Sequence, residues 1–160
     1  MASHEEQGLL PRPDFGGLGP KVLLVAAPFY RRIADWMIEG ARAEIEACGG
    51  THELVEVPGA LEVPAAIRYA QRAGGYEAFV ALGCIIRGET YHFELVCNES
   101  ARGITLLGLE GLAIGNGILT TEDMAQAEVR ADPSRMNKGG GAAAAALHLA
   151  ALARRFGGMR

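Results

Sequence analysis

The sequence has few of the cysteine and histidine residues that form disulfides and bind metals. The chain has only three cysteines and four histidines. The cysteines, Cys48, Cys84 and Cys97, are widely spaced and contain no CxxC pair. An odd number at such spacing predicts neither a disulfide framework nor a zinc site. We therefore expect no metal site, and we expect a reducing compartment, the cytoplasm.

A strong charge excess and long apolar runs are also missing. The formal net charge is −4, from 15 Lys and Arg against 19 Asp and Glu, which does not favour nucleic acid or an anionic membrane as a partner. No apolar run has the length of a membrane span. The first 20 residues lack the basic start and apolar stretch of a signal peptide. We expect no nucleic acid and no membrane partner, and this charge balance is compatible with a phosphorylated small-molecule substrate.

What the sequence does have is the composition of one globular domain. Hydrophobic residues make up 49% and charged residues 21% of 160 residues, enough for one core and too few for two ordinary domains. Pro11, Pro13 and Pro20 disfavour a regular strand near the start. We predict a flexible N-terminal arm over residues 1–20 and a single domain over residues 21–160.

Short apolar segments alternate with segments of helical period. Strands are predicted over residues 22–27, 53–57, 78–86 and 112–119. Helices are predicted over residues 33–47, 61–73, 92–107, a short segment capped by Thr120 or Thr121 and ending near 131, and 139–155. Strands that are apolar throughout are typical of parallel sheets covered on both faces. The predicted fold is α/β: a three-layer α/β/α sandwich with a four-stranded parallel sheet, flavodoxin-like.

In such a sheet ligands bind beyond the carboxyl ends of the strands, so the loops there hold the candidate site residues. The strongest is the turn over residues 87–92, where Gly88 and a helix start could bind an anion, Thr90 could donate a hydroxyl and His92 could transfer a proton. The same residues also fit an ordinary capped helix start. Neither GxxxxGK[ST] nor GxGxxG occurs in the chain.

Other loops and helix ends carry weaker signals, each with a plain structural alternative. The turn over residues 58–62 could face a flat heterocycle, with Glu62 accepting hydroxyl hydrogen bonds, or be a simple strand-to-helix turn. Phe29 could stack on a ring or be a core or interface aromatic. Lys138, before three glycines, suggests an anion site or close packing, and Arg130 could merely offset its helix dipole.

Four blocks, in this order, resemble the lumazine synthase family over residues 21 to about 156. They are VPGALEVP at 57–64, LGCIIRGETYHF at 82–93, GILTTE at 117–122 and NKG at 137–139. The resemblance implies a transferase of riboflavin biosynthesis. It would condense 5-amino-6-(D-ribitylamino)uracil with 3,4-dihydroxy-2-butanone 4-phosphate to 6,7-dimethyl-8-ribityllumazine, releasing phosphate and water. It implies no metal and no organic cofactor.

The resemblance also implies roles for individual residues. Those of the pyrimidine and ribityl site would be Phe29, Ala60, Leu61, Glu62, Cys84, Ile85, Ile86, Asn116 and Lys138. Those of the phosphate site would be Glu89, Thr90 and Arg130. His92 would be the catalytic acid and base. Three residues depart from the family pattern: Glu89 stands where a small residue is common, Asn116 where Phe is common, and Cys84 where Thr is common.

The resemblance further implies a homo-oligomer with active sites between subunits. The family forms pentamers, decamers and 60-subunit shells. Because the shell uses an ordered N-terminal segment, the three early prolines favour free pentamers here. Riboflavin synthase would be a further partner. An alternative function, supported by Glu89 and Asn116, is a flavin- or lumazine-binding paralogue with weak catalysis.

Overall fold

The sheet is built from four short parallel strands. The computed structural model describes residues 10–157. The strands are β1 (Lys21–Ala26), β2 (Thr51–Glu56), β3 (Ala78–Ile86) and β4 (Ile114–Thr121), in the order β2-β1-β3-β4. Leu24 lies opposite Leu54 of β2 and Val80 of β3. β1 and β3 are central and buried on both faces, which is why both are almost entirely apolar.

Five α-helices cover the two faces of this sheet. They are α1 (Arg31–Ala47), α2 (Val63–Ala73), α3 (His92–Leu109), α4 (Met124–Ala131) and α5 (Lys138–Gly157). One apolar cluster joins α1, α4 and α5 to one face, and a second joins α2 and α3 to the other. The predicted three-layer α/β/α sandwich is therefore confirmed, and the strand order is that of the flavodoxin-like sheet.

The end of β4 differs from the prediction. Thr120 and Thr121 do not cap α4; they are the last two residues of β4, paired with Ile85 and Ile86. The cap is Asp123, whose carboxylate accepts a hydrogen bond of 2.9 Å from the backbone N–H of Gln126. Both threonines are β-branched, which suits a strand. Thr121 is also buried, at 2% exposure.

The glycines of β4 allow α5 to lie directly on the sheet. A Cβ built on Gly115 would stand 1.8 Å from the carbonyl oxygen of Ala142, and one on Gly117 would stand 2.8 Å from the Ala142 Cβ. No side chain fits such a gap, so the glycines that lower the strand propensity of β4 are required by helix packing.

Residues 10–20 run across the outside of α1 and α5 without forming a strand. Arg12 pairs through two hydrogen bonds with Glu44 of α1. Phe15 is buried, with the Arg154 guanidinium 4.8 Å from its ring centre. Residues 1–9 of the predicted arm lie outside the described residues, and the flexible arm with its boundary at residue 20 stays a prediction.

Within residues 10–157, no helix is long and apolar enough to cross a membrane. The same part of the chain holds no cluster of three or more His, Cys, Asp or Glu side chains arranged for a metal ion.

Candidate active site

A cavity of about 450 Å³ opens at the carboxyl edge of the sheet, between the ends of β1 and β3. It is lined by Ala27, Phe29, Tyr30, Pro58, Gly59, Ala60, Leu61, Glu62, Cys84, Ile85, Ile86, His92 and Val96. β1 connects to β2 on one side and β3 lies on the other, so this is the point where the strand order reverses. Ligands of open α/β sheets bind at such a point.

The floor of the cavity comes from unequal strand lengths. Pairing between β1 and β3 ends at Ala26 and Leu82, followed by one hydrogen bond of 2.9 Å from the Ala27 N–H to the Leu82 carbonyl. β3 continues to Ile86 while the chain turns away after Ala27. Because alternate residues of a parallel strand direct their backbone groups to the same neighbour, Cys84 and Ile86 direct theirs into the space that β1 has vacated. A planar heterocycle with donors and acceptors along one edge can bind there.

The Cys84 thiol within this floor is chemically quiet. Burial raises the pKa of Cys84 to about 11, and a hydrogen bond with Thr121 lowers it only in part. The thiol is therefore protonated at neutral pH and is a poor nucleophile. Cys84 contributes apolar surface and backbone groups rather than covalent chemistry.

One wall is the turn after β2. Ala60–Glu62 form a single turn of 3-10 helix, and the Glu62 N–H donates to the Gly59 carbonyl at 3.2 Å. This turn buries Ala60 and leaves Leu61 and the Glu62 carboxylate exposed at the cavity. An exposed carboxylate accepts hydrogen bonds from hydroxyl groups at little desolvation cost.

The opposite wall is aromatic. Phe29 and Tyr30 meet edge to face, with ring centres 5.0 Å apart and planes at 70°. Phe29 remains 74% exposed, so most of its ring is free to receive a flat ligand or a neighbouring chain.

The third side is the start of α3. His92 is the first residue of this helix and lines the cavity together with Val96, one turn further on. The His92 N–H donates a long hydrogen bond of 3.4 Å to Thr90 Oγ1. An imidazole so placed can exchange a proton with a ligand on the floor.

Five residues predicted for the site do not line this cavity. Glu89 and Thr90 are exposed in the turn before α3. Asn116 lies on the edge strand β4, where its side-chain oxygen accepts the Ile118 N–H at 3.0 Å. Arg130 donates to the Gln126 carbonyl at 3.1 Å on α4, and Lys138 begins α5. Asn116, Arg130 and Lys138 therefore lie on three elements that do not line the cavity of their own chain.

Sequence reasoning missed some lining residues. Ala27, Tyr30 and Val96 were not among the predicted site residues, although Tyr30 directly follows Phe29 and Ala27 precedes it by two positions. Val96 could have been found from helical spacing, since it is four positions after His92. Ala27 follows from the β3 overhang, which cannot be read from one sequence.

A second, wider groove of about 610 Å³ lies between α1 and the edge strand β2. Three of its charged side chains pair with one another: Arg31 binds Glu56 and approaches Asp35. The groove does not lie at the point where the strand order reverses, so the cavity at β1 and β3 is the better candidate site.

Comparisons with known proteins give a consistent result. The family model described as 6,7-dimethyl-8-ribityllumazine synthase matches residues 19–154. Proteins named 6,7-dimethyl-8-ribityllumazine synthase are similar along almost their whole length. That of Sphingopyxis alaskensis is 59% identical over 136 residues, covering 85% of this chain and 96% of the relative. That of Jannaschia sp. is 51% identical over 158 residues, covering 98% and 87%. That of Methylobacterium radiotolerans is 48% identical over 162 residues, covering 100% and 99%.

Proposed function

The chain belongs to the 6,7-dimethyl-8-ribityllumazine synthase family, and on that basis we propose that its cavity catalyses the lumazine-forming step of riboflavin biosynthesis. The substrates are 5-amino-6-(D-ribitylamino)uracil and 3,4-dihydroxy-2-butanone 4-phosphate, and phosphate and water are released. The observation that carries the proposal is the meeting of Phe29, Glu62 and His92 around the open floor at Cys84 and Ile86.

The pyrimidine would bind on the floor of the cavity. Its carbonyl and N–H groups match backbone donors and acceptors of Cys84 and Ile86 at the end of β3 that extends past β1, and Ile85 between them would contact the ring as a lining residue. Phe29 would cover one face of the ring by stacking. Ala60 and Leu61 would contact the junction of pyrimidine and ribityl chain.

The ribityl chain would extend along the turn after β2. Glu62 would accept hydrogen bonds from its hydroxyl groups, and the carboxylate is exposed in the cavity as that role requires. A carbohydrate-like chain bound this way holds the reactive amines in place, and such positioning can account for much of the rate.

His92 would move the protons of the reaction. Condensation of an amine with a ketone releases water, and elimination of phosphate removes a proton from carbon, so the reaction needs both the uptake and the donation of protons, which one imidazole can perform in turn. His92 lines the cavity at the start of α3, where both substrates would meet.

The phosphate site would need a second copy of the chain. Glu89 and Thr90 form the exposed turn beside His92, with Thr90 as hydroxyl donor, but the cavity's own lining contains no Lys or Arg. Arg130, Lys138 and Asn116 lie on other elements, where they could serve a neighbour. We propose a homo-oligomer, with the pentamer favoured over a decamer or a 60-subunit shell, in which Arg130 binds the neighbour's phosphate.

The function is tested by a steady-state assay with both substrates that follows the absorbance of the lumazine and the release of phosphate. We expect turnover that depends on both substrates. A folded oligomer that binds riboflavin without any turnover would contradict the proposal.

The shared phosphate site is tested by Arg130→Ala. We expect KM for the phosphorylated substrate to rise more than KM for the pyrimidine, and mixtures of Arg130→Ala and His92→Ala subunits to regain activity because some interfaces hold one intact site. Mass photometry should show pentamers. Equal effects on the two KM values, or a megadalton particle, would contradict the respective proposal.

We further propose a cytoplasmic location, because Cys48, Cys84 and Cys97 are free thiols. The lumazine product is the substrate of riboflavin synthase, which makes that enzyme a candidate partner. Co-sedimentation of the two proteins would test the association.

A further inference from the structure

Three charged side chains outside the cavity form a cluster at the base of the turn that carries Glu89 and Thr90. The Arg87 Nε donates to the Glu122 carboxylate at 2.6 Å, and its Nη1 donates to the Glu94 carboxylate. One guanidinium therefore spans two carboxylates from two different elements. Glu94 is in the first turn of α3, and Glu122 follows the last residue of β4.

Two further contacts fix the position of Arg87 itself. Its backbone N–H donates to the Thr121 carbonyl at 2.9 Å, which extends the β3–β4 pairing by one residue. Its guanidinium carbon lies 4.4 Å from the centre of the Phe93 ring, a cation–π contact. Arg87 thus connects the end of the sheet to Phe93 and Glu94 in the first turn of α3.

The turn has few other contacts that could hold it. Gly88 has no neighbouring atoms within 4 Å of the Cβ position. The only side-chain hydrogen bond within the turn is the long one from His92 N–H to Thr90 Oγ1, at 3.4 Å. Without Arg87, the first turn of α3 would keep its helical hydrogen bonds but lose its side-chain link to the sheet.

We propose that Arg87 is a positioning residue for the reaction, holding the first turn of α3 so that the His92 imidazole stays at a fixed place over the cavity floor. The inference rests on the proposed role of His92. Arg87 does not line the cavity and acts only through the helix start.

The fork of the guanidinium explains why this position needs arginine. Its Nε and Nη1 donate in two directions at once, whereas an ammonium is a single point charge that can favour only one carboxylate. The cluster is also partly solvated, with the Arg87 side chain 42% exposed, and ion pairs exposed to solvent contribute little to folding. Removing Arg87 should therefore affect geometry more than stability.

The test compares Arg87→Met and Arg87→Lys with the control Arg102→Met, which removes an exposed i,i+3 pair with Glu99 further along α3. Because small displacements of a catalytic group cost up to about a hundredfold in rate, we expect Arg87→Met to lower kcat about tenfold. Both KM values should stay within about twofold, and Arg87→Lys should recover part of the loss. Arg102→Met should retain wild-type kcat.

A double variant distinguishes positioning from a general structural role. If Arg87 acts through His92, adding Arg87→Met to His92→Ala should cause no further loss of kcat. A multiplicative loss, or an unchanged kcat in Arg87→Met alone, overturns the inference while leaving wild-type turnover, and with it the proposed function, intact. Should Arg87→Met fail to fold, Glu122→Gln removes one charge from the same cluster and must lower kcat without changing that of the His92→Ala background.

Discussion

Replacing Phe29 with alanine separates binding from folding. The ring is 74% exposed, and its defined aromatic contact is the edge-to-face pair with Tyr30. Losing that pair should cost about 0.5–1 kcal/mol of stability, which lowers Tm by about 1–4 °C in a domain of this size. Stacking of a heterocycle on an aromatic side chain is worth about 1–3 kcal/mol. Since one side of the ring is open in the single chain, we take the lower half of that range.

This gives an increase of about fivefold to thirtyfold in KM for the pyrimidine, with KM for the phosphorylated substrate changed less than about twofold. Steady-state kinetics with each substrate varied in turn, together with thermal unfolding, would measure both effects. Phe156→Ala is the control, because Phe156 is 68% exposed at the end of α5. The nearby Arg154 pairs with Glu77, just before β3, which places this end of α5 at the edge of the sheet opposite the cavity. Equal increases in both KM values, or the same effect in Phe156→Ala, would refute the stacking assignment.

Three other experiments test the chemistry and the packing. His92→Ala should lower kcat by about tenfold to a few hundredfold, because positioned acid–base catalysis contributes up to about 10⁴-fold and orientation supplies the rest; an unchanged kcat removes His92 from the mechanism. Gly115→Ala should strongly lower the midpoint of urea unfolding, since its Cβ would stand 1.8 Å from the Ala142 carbonyl oxygen. The control Gly141→Ala, whose Cβ would meet nothing within 4 Å, should be neutral or slightly stabilising. Similar midpoints for the two variants would contradict the close packing. The pKa of Cys84 is raised by burial from 9.0 to about 11, so the stability that depends on its protonated thiol is fully present below pH 9 and is lost as pH rises towards 11. The free energy of unfolding should therefore fall less steeply with pH across that window in Cys84→Ala than in the wild type. Identical slopes would contradict a buried thiol.

The sheet could be predicted from the sequence because the buried parts of its central strands are apolar without interruption. Residues 78–86 are apolar throughout, and β3 has those bounds. β4 was harder to delimit, because Gly115 and Gly117 lower its strand propensity and the following threonines fit a helix cap as well as a strand. The glycines are explained by the close approach of α5, and that contact depends on residues far away in the chain.

The candidate site shows the same division between local and distant information. Phe29, Glu62 and His92 each follow or begin a predicted element, so the rule that ligands bind beyond the carboxyl ends of parallel strands places them together. The cluster around Arg87 was not predicted, because its partners Glu94 and Glu122 come from different elements and their meeting depends on how α3 and β4 flank the turn.

The position of β3 beside β1 has a consequence for the chain as it leaves the ribosome. β1 is synthesised early, but β3, which pairs with one of its two edges, ends only at Ile86, after β2 and α2 have been synthesised. Until then one edge of five buried apolar residues, Val22 to Ala26, offers unpaired backbone groups to other chains. The cavity also needs both sides of this pair, so a ligand that binds there can stabilise a finished chain but cannot rescue one that stops before α3.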